Sequence, residues 1–178
     1  PLYNSVEQIA AQFANEVINH HVKGEVVLWG YSMGVAVAFE MAKLLEQKGV
    51  ALTLVLIDRG IPTRVEQWWR QITPQFATEL LMELYKKLVP EDQINEPALK
   101  RFLLNNNRIL SRYYQAGSST SKIFVFEAQK KGQNMRKWNK YTSAGIVHNY
   151  VQGEHLEALS AGNTEHMASI ICNAFHKS

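Results

Sequence analysis

The stretch from Val26 to Ile57, VVLWGYSMGVAVAFEMAKLLEQKGVALTLVLI, constrains the fold more than any other part of the chain. It opens on a short apolar run, Val26 to Trp29, and closes on a second, Ala51 to Ile57, that is continuous and apolar. Runs without polar alternation suit strands covered on both faces. Between them a helix of small and apolar residues is expected from about Met33, with Gly49 as its C-terminal stop. Strand, helix, strand in that order calls for a right-handed crossover and two parallel strands. An α/β chain with a mostly parallel sheet follows.

The flanking segments extend this reading. Ser5 and Gln8 have capping-box spacing, and Val6, Ile9, Ala10, Phe13 and Val17 recur at helical intervals until Gly24. Beyond the second strand, residues 65–115 are helical in pattern, with Trp68, Trp69, Phe76, Leu80 and Leu84 before a break at Pro90, and Leu99, Phe102 and Ile109 after it. That much helix between strands exceeds an ordinary crossover and is expected to form a lid, approximately residues 64–116. Strand patterns return at Lys122 to Phe126 and Ile146 to Val151, and a last helix is expected from about Thr164 to Phe175. No repeat or linker divides the chain, so residues 1–178 are expected to form one domain.

Composition excludes several functions. A lone cysteine, Cys172, rules out an internal disulfide and fits a reducing compartment. It lies in an apolar helical run and is expected to be buried there. No run approaches the roughly 18 apolar residues of a membrane span, and the start PLYNSVEQ has no leader pattern, so a cytoplasmic location is expected. The net charge of +3 is scattered; its densest groups, Lys86-Lys87 and Lys130 to Lys140, read as solvated faces rather than a nucleic-acid surface. No histidine pair has zinc-type spacing with a third ligand, and no glycine-rich phosphate loop is present, so neither a metal nor a bound cofactor is expected.

What the chain does offer is Ser32, set between Gly30 and Gly34 where the first strand meets its helix. A hydroxyl attacks only when a base removes its proton and a third group orients that base. GYSMG matches the nucleophile elbow, with glycines where strand and helix are expected to crowd. The helix that follows aims backbone N–H groups at an oxyanion above the serine, Met33 contributing one. Among six histidines, His155 in VQGEHLEAL falls just past the last strand, at the edge where parallel sheets place ligands. Two carboxylates compete as its partner: Asp58, directly after LTLVLI, and Glu127, after KIFVF. Pattern alone prefers Asp58 modestly, because a short side chain at a strand exit is held more rigidly. Adjacent tryptophans diverge by about 100° on a helix, so one of Trp68 and Trp69 is expected to face an acyl channel or a partner; Tyr31 is a further candidate substrate contact.

Together these segments resemble the thioesterase domains that terminate nonribosomal peptide and polyketide synthesis. LWGYSMGVAVAFEMAKLLEQKGV resembles the elbow and its helix, LTLVLIDRGIP the acid-bearing strand, and VQGEHLEAL the histidine loop. The resemblance implies an α/β-hydrolase fold with Ser32, Asp58 and His155 as catalytic residues, since the family's acid follows the strand after the elbow helix. It implies an acyl or peptidyl chain delivered on the phosphopantetheine arm of a carrier protein, the arm being part of the substrate, and released by water or by an internal nucleophile. Val35 and Glu154 depart from the family pattern conservatively. The family also carries strands and a second oxyanion donor before the elbow, so an N-terminally truncated domain is expected. Loss of one donor typically costs about 10²–10³ in turnover, roughly 2.7–4 kcal/mol, and a bared sheet edge is expected to invite self-association. The alternatives are a serine esterase or lipase of the same fold with Glu127 as acid, and a non-catalytic module that binds acyl chains or a partner.

Overall fold

The computed structural model describes residues 3–20, 24–61, 95–113, 117–130 and 134–176, together with Trp68, Gln71, Thr78, Glu79, Met82, Glu83 and Lys86. Two compact units are formed, one by residues 1–9 and 62–114, the other by residues 10–61 and 115–178.

The larger unit holds a sheet of four strands: β1 (Val26–Tyr31), β2 (Leu52–Ile57), β3 (Lys122–Ala128) and β4 (Ile146–Val151). They lie in sequence order and every neighbouring pair is parallel, with Val26 opposite Leu52, Leu54 opposite Ile123 and Val125 opposite His148. All four carboxyl ends therefore emerge along one edge. Every residue of β2 is buried, as expected for an unbroken apolar strand between two covered faces.

Strand alternation divides the core in two. Leu28, Leu54, Leu56, Ile123 and Val125 face Phe39, Ala42 and Leu45 of α2 (Met33–Gln47) and Ala14 of α1 (Val6–His20). Val55, Ile57, Phe124, Phe126 and Val151 face Met167 and Ile171 of the last helix (Ala161–Phe175). Gly49 (φ 75°) ends α2 as expected, its N–H donating to Glu46 O at 2.9 Å while Val50 N–H reaches back to Leu45 O at 3.0 Å. The Glu46 carboxylate then accepts Ser119 Oγ, Ser121 Oγ and the N–H groups of Thr120 and Ser121, fastening the start of β3 to the end of α2.

One expectation needs correction here. Cys172 is exposed, not buried. The buried stripe of its helix runs through Asn163, Met167 and Ile171, four residues apart, and the next position turns outward by about 100°. The basic residues before Lys140 are exposed as expected, on a 3₁₀ helix, Met135–Tyr141, whose Met135 and Trp138 are buried.

In the smaller unit, α3 (Glu96–Arg112) begins at Asn95, whose Oδ1 accepts Ala98 N–H at 3.1 Å. It buries Leu103, Ile109 and Leu110, and its buried Asn107 donates to Thr78 Oγ1 at 3.0 Å. This is the helix expected in the chain's middle. Trp68 is exposed, whereas Trp69, Phe76, Leu80 and Leu84 lie outside the described residues. No helix among the described residues is long and apolar enough to cross a membrane.

Candidate active site

The corner between β1 and α2 is a single residue, Ser32, with φ 53° and ψ −120°. A left-handed conformation at a residue other than glycine costs about 1–3 kcal/mol and persists only where its surroundings over-determine it. One such constraint is Gly30. A Cβ there would lie 2.6 Å from Gly34 O and 2.8 Å from Val35 Cα, so helix and strand meet too closely for any side chain. Gly34 differs from expectation: a Cβ on it would meet nothing within 4 Å, so crowding does not require glycine at that position. Ser32 N–H continues the ladder to Ile57 O at 3.3 Å, tying the corner to the end of β2. Its hydroxyl makes no capping bond to the helix. Met33 is the first residue of α2, in the turn whose N–H groups lack intrahelical acceptors.

One residue past β2 stands Asp58, 1% exposed and also left-handed, with φ 44°. Its N–H donates to Phe126 O at 2.8 Å, and Oδ1 accepts Ala128 N–H at 2.9 Å. Oδ2 lies 2.7 Å from His155 Nδ1. An ionised carboxylate only accepts, so the proton of this bond belongs to Nδ1 and Nε2 is left as the acceptor of a neutral imidazole. Both oxygens of a buried charge are thereby satisfied, the condition on which such a group is tolerated.

His155 opens a short 3₁₀ turn, His155–Glu157, after Gly153. Gly153 has φ 82°, a backbone shape that strains any side chain, and a Cβ there would also crowd Glu157 Cβ at 2.9 Å, so glycine is strongly favoured. Asn163 clasps this loop, accepting Gln152 N–H at 3.0 Å and donating to Gln152 O and Glu157 O, each at 2.9 Å. Glu154, the departure noted beside the histidine, joins Glu157 in a capping box.

The structure thus brings Asp58 and His155 together from 97 residues apart. Tyr31 completes the group: its hydroxyl donates to His155 O at 2.6 Å and its ring stacks on the imidazole, centroids 4.8 Å apart and planes 22° apart. Ser32 is the next residue in the chain. Glu127 is not brought to His155. It lies on the other side of β3, accepting Asn134 N–H at 2.7 Å and Met135 N–H at 3.3 Å and pairing with His148 Nε2 at 2.8 Å. His20, His166 and His176 are exposed and His21 lies outside the described residues. Sequence reasoning missed the Ala128 N–H, the grip of Tyr31 on His155 and the Asn163 clasp. Only Asn163 left a trace, as an amide on the otherwise apolar stripe of its helix.

Residues 1–175 match the thioesterase domain family, so the chain belongs to that family of hydrolases. It is 24% identical over 164 residues to bacitracin synthase 3 of Bacillus licheniformis, a match covering 86% of this chain and 2% of that protein. It is 25% identical over 152 residues to a mycosubtilin synthase protein of Bacillus subtilis, covering 83% of this chain and 6% of that protein. The chain therefore spans a small part of the length of these curated relatives. Among solved structures it is similar to the Vlm2 thioesterase domain bound with a dodecadepsipeptide, with a TM-score of 0.73, 18% identity, and coverage of 96% of this chain and 77% of that one. The fold is of the α/β-hydrolase type, as the sequence resemblance implied.

Proposed function

We propose that the chain is a serine thioesterase that releases an acyl or peptidyl chain from the phosphopantetheine thiol of a carrier protein. Ser32 Oγ attacks the thioester carbonyl while His155 Nε2 takes its proton, and Asp58 holds the imidazole and faces the cation that forms. Met33 N–H, at the positive end of α2, donates to the tetrahedral oxyanion. The thiol then leaves with the proton from His155, giving acyl-Ser32. Water or a nucleophile within the acyl chain, deprotonated by His155, breaks that ester and regenerates the serine. Trp68 and Trp69 are the candidate contacts for reading the acyl chain. Kinship with parts of nonribosomal synthases supports the carrier-bound substrate.

The observation that carries this reading is the bond from His155 to a buried, doubly held Asp58, set against the residue that precedes Ser32. Glu127, spent on His148 and the 3₁₀ helix, gives no support to the esterase reading that needs it as acid. A fluorophosphonate probe tests the proposal, because only an activated serine reacts. The wild-type chain should be labelled on Ser32 and should hydrolyse an acyl-pantetheine thioester. Ser32→Ala should abolish both, and His155→Ala should slow both by orders of magnitude. Absence of labelling in a folded wild-type chain would favour a binding module instead.

A further inference from the structure

We infer that Tyr31 is a positioning residue for the base, through which the residue preceding the nucleophile holds the imidazole that must activate it. The inference rests on the Ser32–His155–Asp58 reading above and extends it to a residue that the sequence offered only as a substrate contact. Two independent contacts carry it: the phenol donates to His155 O at 2.6 Å, and its ring lies nearly parallel to the imidazole at 4.8 Å. The first fixes the backbone at the start of the His155–Glu157 turn. The second blocks rotation of the imidazole about its bond to Cβ, the motion that would carry Nδ1 away from Asp58.

Tyr31 is itself well anchored. It is the last residue of β1, opposite Ile57, and packs partly buried against the core cluster of Val55, Ile57, Phe126 and Ala158. Ala158, which directly follows the histidine turn, belongs to the same cluster. Since His155 is still 34% exposed at its side chain, Asp58 alone does not enclose the ring. The aromatic face closes one side of it. A stacked π-face also favours the imidazolium that forms as the serine loses its proton. Nucleophile and base are thus related through one peptide unit and one side chain rather than through two separate loops.

Two variants separate the contacts. Tyr31→Phe keeps the stack and removes the hydrogen bond; Tyr31→Leu removes both. Labelling by the fluorophosphonate probe should slow by about three- to tenfold in the first and by about tenfold to a hundredfold in the second. With short- and long-chain acyl-pantetheine thioesters, kcat should fall by the same factor on each substrate while KM holds. A change in chain-length preference, or a rise in KM with kcat intact, would overturn the inference and return Tyr31 to substrate binding. Wild-type labelling with variants reacting at the wild-type rate overturns this inference alone, whereas an unlabelled folded wild type overturns the underlying reading as well. Should Tyr31→Leu fail to fold, Tyr31→Phe decides on the same measurements.

Discussion

Asp58 and Glu127 leave the same sheet edge at the ends of neighbouring strands, yet they meet different histidines, His155 and His148. Parity along the strand explains the division. Glu127 shares its face of β3 with Ile123 and Val125, which pack toward α2, and on β4 that face carries His148. Asp58 is turned at the strand exit by its left-handed backbone, where Ala128 N–H receives one oxygen and His155 the other. The sequence named both carboxylates and could not separate them by spacing, because the deciding fact is a side-chain direction at a turn. Substitution should separate them clearly. Asp58→Asn keeps the shape and one oxygen for Ala128 N–H, but turns an NH₂ toward His155 Nδ1 and removes the charge, and should lower the acylation rate by on the order of 10⁴. Glu127→Gln should cost about 1–3 kcal/mol of stability, read from thermal unfolding, with a far smaller effect on labelling well below the melting temperature. Equal loss of labelling in the two variants would deny Asp58 its special place.

At the scale of elements, apolar periodicity made most of the larger unit legible. β1, β3 and β4 begin where their apolar runs begin and β2 one residue later, at Leu52; β2 and β4 also end with their runs, whereas β1 and β3 continue two residues further, to Tyr31 and Ala128, and these extensions place the groups that hold His155 and Asp58. The 3₁₀ helix Met135–Tyr141 was hidden because Met135 and Trp138 are separated by basic residues and are too few to set a period. Its placement matters, since Trp138 Nε1 donates to Arg59 O at 2.9 Å, one residue beyond Asp58. The Glu46 clamp was equally invisible: a glutamate near a helix end reads as solvated until a second segment, Ser119 to Ser121, supplies four donors. Hydrogen bonds to a charged group are worth about 1.5–3 kcal/mol each, so Glu46→Gln, which keeps one acceptor oxygen and loses the charge, should destabilise the chain by about that much. Denaturant unfolding measures this, and an unchanged midpoint would show the clamp to be ornamental.

At the scale of the whole chain, β1 is a border strand of the sheet among the described residues. Val27 and Trp29, on the face that the last helix covers further along the sheet, are 36% and 47% exposed. A border strand that carries exposed large apolar side chains is a surface that associates readily with another chain. Sedimentation velocity should therefore find concentration-dependent self-association that Trp29→Lys weakens; a wild-type chain that stays monomeric at high micromolar concentration would refute this. The parallel order of the sheet has a second result, because it gathers both left-handed corners, Ser32 and Asp58, at one rim. Each occupies a backbone shape in which glycine would rest more comfortably, so under the proposed mechanism thermal ruggedness and reactivity make opposite demands on the same two sites. A programme of hardening guided by backbone preference alone would choose those sites early, and would yield a sturdier molecule with no chemistry left in it.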